Sequence, residues 1–259
     1  MSGNNRIILQ QRDLHLFGEL AVMRVIDREQ AILVGGFHSV TRVNTRLLAL
    51  ARAGLLRRFF LGSGGGRKAI YALTRKSSLL IGAPYRGPRR AQGEILAADN
   101  FVSHQLTVNN LYCSLKYRPI PIPYVKFHAW RAFFHPILPE LSLIPDGYVE
   151  FVVNSRIVPC FIEVDLGNES MGIWKEKAQK YVALSLSEKF AKQFGHEGFG
   201  VLVLVNSERR LQTIRKAVAS VTDKLFRFAT LESVSEGIFG SVWCRPTDGT
   251  TKSLFEKTL

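Results

Sequence analysis

Apolar residues recur at helical spacing between Arg12 and Ile26, at Leu14, Phe17, Leu20, Ala21 and Val25, and predict a first amphipathic helix. A short second helix over Arg28–Val34 stops at Gly35-Gly36. Ser39 or Thr41 then caps a third helix, with Val43, Leu47, Leu50 and Ala51 inward and Gly54 as its left-handed stop. Two β-prone runs follow, residues 55–61 and 67–73, joined by Gly62-Ser63-Gly64-Gly65-Gly66, which reads as a hairpin with a glycine tip. Thr74 to Ile81 predicts a closing helix. Helical periodicity returns from Ala97 to Tyr117 and ends at Arg118-Pro119. Strand-like runs at Tyr124–Arg131, Gly147–Val153, Val158–Val164 and Gly198–Val205 alternate with helical stretches at Ser170–Leu186 and Ser207–Val221, in the order β-β-β-α-β-α.

Helix, turn, helix and then a basic hairpin is the order of a winged helix-turn-helix module, and the later elements predict a mixed α/β sheet with flanking helices. The fold class expected is therefore α/β (α+β) in two domains. Residues 1–82 form the winged helix-turn-helix, residues 83–96 a basic linker and residues 97–259 the α/β domain. The glycine tip lacks the Lys-Ser/Thr of a phosphate-binding Walker loop and opens no helix, so nucleotide binding is not expected from it.

Composition narrows the function. At 46% hydrophobic and 22% charged residues the chain is globular rather than disordered or fibrous. No apolar run approaches the roughly 18 residues of a membrane span, and the start has no charged segment leading into an apolar one. A cytoplasmic protein that does not engage a membrane is the expectation. Cys113, Cys160 and Cys244 are far apart with no CxxC, so neither a disulfide framework nor a zinc site is indicated.

The net charge of +14 is unevenly placed. Residues 1–96 carry 16 Lys and Arg against 5 Asp and Glu, while residues 97–259 carry 19 against 16. Between Gln30 and Gly93 there are 12 basic residues and no acidic one. Such a segment suits a polyanion, because each Lys or Arg near a phosphate releases counterions. Double-stranded DNA is the expected partner. Arg42, Asn44 and Arg46 on the third helix, with Arg57, Arg58, Arg67 and Lys68 on the hairpin, are the candidate contacts, and Thr45 and Arg52 share the outward face of that helix.

The second half carries candidate chemistry. Asp146 sits in Ile144-Pro145-Asp146-Gly147-Tyr148, just where a strand begins. Further on, Cys160-Phe161-Ile162-Glu163-Val164-Asp165 places Glu163 and Asp165 at alternate positions of an apolar strand, on one face. Two acids on a buried face repel and are costly to desolvate, and a divalent cation offsets that cost. If the two strands form a hairpin, Asp146 lies beside Glu163 and an oxygen-rich site for Mg²⁺ (or Mn²⁺) results, with Asp146, Glu163 and Asp165 as ligands. This spacing resembles the active site of the PD-(D/E)XK nuclease superfamily, except that Asp165 stands where those enzymes place lysine. A lysine from the following helix is the expected substitute: Lys177 first, then Lys175 or Lys180.

Taken in order, several segments resemble the replication-relaxation family of plasmids and other mobile elements. They are Arg46–Leu50 leading to Ala53–Arg57, Ile70–Thr74, Ser103–Asn109, Pro145-Asp146-Gly147, Phe161–Asp165, Lys177 four residues before Tyr181, Arg227–Glu232 and Val242–Pro246. The resemblance implies a DNA-binding winged helix joined to a nuclease-like domain, acting in replication, relaxation or mobilisation. A covalent phosphotyrosine mechanism is not expected, since His128 and His135 have no third histidine near them in sequence.

Three functional readings follow. In the first the chain is a Mg²⁺-dependent DNA endonuclease or nickase, with Asp146, Glu163, Asp165 and Lys177 as the catalytic set. In the second it is a non-catalytic initiator accessory or transcriptional regulator with a degenerate nuclease-like domain. In the third the nuclease domain works only with a partner protein of the same mobile element. Pairing on two-fold DNA sites makes a homodimer a further expectation.

Overall fold

Short polar caps decide where the helices begin, and long-range polar contacts decide how they group. A computed structural model describes residues 7–62, 67–86 and 95–255. The chain divides into two compact units, Met1–Arg118 and Pro119–Leu259. Ser63–Gly66 of the expected hairpin tip and 87–94 of the expected basic linker lie outside the described residues.

The first unit opens with α1 (Gln11–Met23), α2 (Arg28–Gly35) and α3 (Val40–Arg52). Asp27 caps α2 by accepting from the Gln30 N–H, and Ser39 caps α3 by accepting from the Arg42 N–H. The apolar stripes of these helices are buried at Leu16, Phe17, Leu20, Val43, Leu47 and Leu50. Strands β1 (Leu56–Leu61) and β2 (Lys68–Leu73) pair antiparallel, from Leu56 opposite Leu73 to Leu61 opposite Lys68. Ile26 adds a single bridge to β2 by exchanging backbone hydrogen bonds with Tyr71 at 2.9 and 2.8 Å. Thr74 caps α4 (Arg75–Leu80).

The long helix α5 (Ile95–Tyr117) belongs to this first unit. Sequence reading gave residues from 97 onward to the second domain, whereas the division falls after Arg118. The reason lies in buried polar contacts. Asn109 Nδ2 donates to the carbonyls of Met23 and Val25 at 3.1 and 2.7 Å, and Gln30 Nε2 donates to the Leu106 carbonyl and to Asn110 Oδ1 at 2.9 and 2.7 Å. Val102 and Leu106 join Val25, Ile70 and Ala72 in one apolar cluster. Of the expected family segment Ser103–Asn109, Leu106 therefore holds α5 onto α2 and the hairpin, and Asn109 holds it onto the end of α1.

The second unit is built on a five-stranded mixed sheet in the order β3 (Val125–Arg131), β4 (Gly147–Val153), β5 (Arg156–Asp165), β6 (Gly200–Val205) and β7 (Phe226–Thr230). The first three strands are antiparallel neighbours and the last three are parallel. Asn154 and Ser155 turn the β4–β5 hairpin with positive φ at both positions, as a two-residue turn of matching twist requires. Parallel pairing needs crossovers, and these are α6 (Met171–Leu186) with α7 (Glu188–Phe194), and then α8 (Glu208–Ala219). A last helix, α9 (Leu231–Gly237), follows β7. Because helices cover it, β6 reads as an unbroken apolar run buried from Val201 to Val205. Tyr148, Phe161, Trp174, Tyr181, Phe190 and Phe228 lie in the core between the sheet and the helices. The described cysteines, Cys113, Cys160 and Cys244, are buried and free.

The architecture is thus mixed α+β with a five-stranded mixed sheet. Helix α7, before β6, and strand β7, after α8, did not register in the periodicity of the chain, so the order on both sides of β6 is richer than the one expected.

Candidate functional site

The β4–β5 hairpin brings the predicted carboxylates together. Gly147 pairs with Ile162, so the next rung sets Asp146 opposite Glu163. The Asp146 N–H donates to the Ile162 carbonyl at 3.1 Å, and Asp146 Oδ2 accepts from the Val164 N–H at 2.7 Å. Glycine follows Asp146 for a packing reason: a Cβ at Gly147 would lie 2.5 Å from Cζ2 of Trp130.

Glu163 is 1% exposed and both of its oxygens are bound. Oε1 accepts from the Tyr181 hydroxyl at 2.6 Å, and Oε2 accepts from Lys177 Nζ at 2.9 Å. Burial, then the charge of Asp146, pushes the Glu163 carboxyl up to about 7 despite the lysine and the tyrosine. Against the burial that would lower it, the charges of Glu163 and Glu169 hold the Lys177 ammonium above its ordinary value.

Of the three candidate lysines only Lys177 reaches this point. Lys175 is exposed, and Lys180 pairs with Glu176 at 2.7 Å. The spacing of α6 explains the selection, since Trp174, Ala178 and Tyr181 form its buried stripe and Lys177 borders it.

Asp165 shares the face of Glu163 but is committed elsewhere. Arg210 grips it as a fork, Nε to Oδ1 at 2.9 Å and Nη2 to Oδ2 at 2.7 Å. Trp174 Nε1 donates to Oδ2 at 2.7 Å and the Gly167 N–H to Oδ1 at 2.6 Å. Against burial, these donors hold its carboxyl below the ordinary aspartate range. Arg210 also donates to the Glu169 carbonyl, and Asn206 Nδ2 to the Leu166 carbonyl at 2.8 Å, so the loop from Leu166 to Glu169 is pinned from several sides. Gly167 turns that loop at φ +99°, a backbone region other residues rarely adopt.

The pinned loop delivers Glu169, which sequence reading missed. Its Oε1 lies 2.8 Å from Lys177 Nζ, and its Oε2 is buried without a hydrogen-bond partner. Glu163 and Glu169 thus set two carboxylates on one ammonium, with Asp146 across the strand pair from Glu163. Asp146 and Glu163, side by side on a strand pair, offer hard oxygen donors of the kind a divalent cation takes. In the arrangement observed, Lys177 lies between Glu163 and Glu169, and among the described residues no three His, Cys, Asp or Glu side chains gather as a metal would need.

The basic candidates of the first unit separate into two groups. Arg42, Arg57, Arg58 and Arg67 are exposed, and Asn44 is half-buried. The Arg58 guanidinium lies over the Phe60 ring at 4.6 Å. Arg46 is turned inward: it forks onto Asp13, a side chain with no exposure, with Nε 2.9 Å from Oδ1, and it also donates to the Ile8 carbonyl. Lys68 pairs with Asp27 at 2.5 Å. These two had been expected on the DNA-facing surface, and each is taken up by an acid lying before Gln30.

Among the described residues no helix is long and apolar enough to cross a membrane. No curated protein and no solved structure matches the chain significantly. The profile of the replication-relaxation family, in contrast, matches residues 20–199, well over half of the chain and across both units. That span contains α3, the hairpin, α5, Asp146, Glu163 and Lys177, and the chain belongs to the replication-relaxation family.

Proposed function

We propose that this protein is a DNA-binding, metal-dependent endonuclease or nickase serving replication or relaxation of a plasmid or other mobile element. One observation carries the reading: Asp146 stands across a strand pair from buried Glu163, whose Oε2 is 2.9 Å from Lys177 Nζ. Family membership supports the biological setting. The site sits at the end of the β4–β5 hairpin and follows the PD-(D/E)XK pattern with its lysine moved onto α6.

Asp146 and Glu163 would hold Mg²⁺ or Mn²⁺, and such a cation supplies Lewis-acid activation of water and phosphate. The chain's own groups prepare that chemistry. The Val164 N–H orients Asp146, and the Tyr181 hydroxyl fixes Glu163. Lys177, kept protonated by its carboxylate neighbours, offers positive charge where negative charge develops on a scissile phosphate. Asp165 keeps the loop and α6 in place through Arg210 and Trp174 instead of serving as a ligand. In the first unit Arg42, Asn44, Arg57, Arg58 and Arg67 would be the DNA contacts of a winged helix, a reading supported by their exposed or half-exposed positions on α3 and the hairpin, with Lys68 and Arg46 joining only if their ion pairs open.

Incubation of supercoiled plasmid with Mg²⁺ tests the reading. The wild type is expected to give open circles, EDTA to stop the reaction, and Glu163→Gln and Asp146→Asn each to slow it by at least about a hundredfold. Equal nicking by all three proteins, or by none, refutes it.

The engagement of Asp165 by Arg210 favours a second reading, a non-catalytic DNA-binding regulator that keeps the fold as a scaffold. Sequence-specific, Mg²⁺-independent binding without cleavage would select it.

A further inference from the structure

Lys177 stands where two carboxylates converge. Its ammonium is 2.9 Å from Glu163 Oε2 and 2.8 Å from Glu169 Oε1, and 5.0 Å from the centre of the Trp174 ring. The other Glu163 oxygen belongs to Tyr181. A divalent ion seeking Glu163 therefore meets a cation already in contact with it. We propose that Lys177 is a built-in counter-cation that closes the carboxylate site to metal until a nucleic-acid phosphate draws the ammonium away, so that metal binding is coupled to substrate binding. The proposal rests on the reading of Asp146 and Glu163 as a metal-binding pair.

Two cations serve the neighbouring carboxylates of β5 and they are built differently. Arg210 meets Asp165 as a rigid two-pronged fork and also anchors the Glu169 carbonyl, which makes it a fixed part of the fold. Lys177 is a point charge on a flexible stem and its side chain is 20% exposed, so its ammonium can move without disturbing α6. The cluster is also incompletely satisfied as it stands. Glu169 Oε2 is buried with no hydrogen-bond partner, and the Glu163 and Glu169 carboxylates share one ammonium. A dication held by Asp146 and Glu163 would offset more negative charge than an ammonium does, and the lysine's two ion pairs oppose the exchange. A phosphate offers the ammonium an equivalent anionic partner, so displacement becomes cheap when DNA arrives and costly when it does not. Linkage then requires reciprocity: DNA tightens metal binding and metal tightens DNA binding by the same factor.

Calorimetric titration of the full chain with Mn²⁺, alone and with a saturating 16-base-pair duplex, tests this. For the wild type the duplex is expected to tighten Mn²⁺ binding by about tenfold, within the usual range of coupling between sites. Lys177→Gln is expected to bind Mn²⁺ about tenfold more tightly than wild type without DNA, and the duplex is expected to add less than about twofold. Since removing Lys177 leaves Glu163 without its cation, thermal unfolding accompanies the titration. Glu169→Gln is the second variant; it removes one anchor of the ammonium, leaves the Glu163 pair in place, and is expected to bind Mn²⁺ more tightly than wild type. Equal Mn²⁺ affinity of wild type and both variants without DNA overturns the lock and leaves the metal reading standing. Mn²⁺ binding by none of them, with or without duplex, overturns the metal reading and the lock together.

Discussion

Replacing Arg210 by methionine keeps most of the aliphatic stem and removes the fork from Asp165. The loss comprises two charge-assisted hydrogen bonds, at 2.9 and 2.7 Å, and the bond to the Glu169 carbonyl. Asp165 is 2% exposed, so its carboxylate cannot recover the difference from water. Breaking a buried ion pair by deleting one partner costs about 3–5 kcal/mol. Trp174 Nε1 and the Gly167 N–H still solvate the anion, which puts Arg210→Met near the lower end, about 3 kcal/mol. For a chain of this size that corresponds to a fall in Tm of roughly 6–12 °C. The effect has a defined pH dependence. The Asp165 carboxyl is held below its ordinary value of 3.8, against burial, by Arg210, Trp174 and Gly167. Its stabilisation is therefore complete above the ordinary aspartate range and is lost as pH falls through the depressed native value. The gap between wild type and Arg210→Met should be full at pH 7 and shrink below about pH 4. Urea unfolding followed by tryptophan fluorescence is the assay, with Trp174, fully buried, as reporter. In an Asp165→Asn background, Arg210→Met should cost well under about 1 kcal/mol, since no buried charge remains to be orphaned. A cost below about 0.5 kcal/mol in the wild-type background, or a gap that does not change with pH, refutes the assignment of Asp165 as a structural anchor.

Arg46→Ala should destabilise the protein by about 3 kcal/mol by leaving the buried charge of Asp13 without its cation, and leave the salt dependence of DNA binding unchanged. Arg42→Ala should do the opposite, with stability within about 0.5 kcal/mol and a log–log salt slope about 0.9 smaller, read by fluorescence anisotropy across a NaCl series. Glu163 titrates in the other direction from Asp165: its native carboxyl is pushed up to about 7, so the stability it contributes is complete below its ordinary value of 4.5 and lost as pH rises through 7. Glu163→Gln does not titrate, so its stability relative to wild type should rise between pH 5 and 8 by up to about 3 kcal/mol; parallel pH curves contradict this.

Local signals carried far along this chain. Ser39, Thr74, Ser170 and Ser207 each cap the helix expected to follow them, and the β4–β5 pairing that unites Asp146 with Glu163 follows from alternation and a turn. Contacts between distant residues were not legible. The inward side of α5 uses Asn109, and Gln30 of α2 reaches back to it; amides of this kind leave no apolar period, so a glycine- and arginine-rich stretch before the helix looked like the boundary. Asp165 and Arg210 are 45 residues apart, and nothing in either segment names the other. Glu169 lies in a loop without periodicity. The only clue to it is its place just before the Ser170 cap, eight residues from Lys177 and so within two turns of that helix. Strand β7 is five residues long and carries an arginine, so only the family resemblance of Arg227–Glu232 pointed to it and no apolar run like that of β6 did.

The charge pattern changes meaning once the pairs are known. The acid-free segment from Gln30 to Gly93 suggested a surface whose every cation awaits a phosphate. The acids placed just before it reach forward instead: Asp13 takes Arg46, and Asp27 takes Lys68, with Glu29 at 3.9 Å from the same ammonium. Glu19 reaches past the segment to Lys116 on α5, which ties the last helix of the unit to the first. Part of the positive charge is thus structural, spent on holding α1, α2 and α5 around the hairpin. The same division recurs in the second unit, where Arg210 fixes a loop and Lys177 is left movable beside Glu163. In both units arginine forks close the fold over fully buried aspartates, Asp13 and Asp165. Burial of the acid, rather than the count of basic residues, therefore distinguishes a cation that builds the protein from one proposed above for the DNA contact.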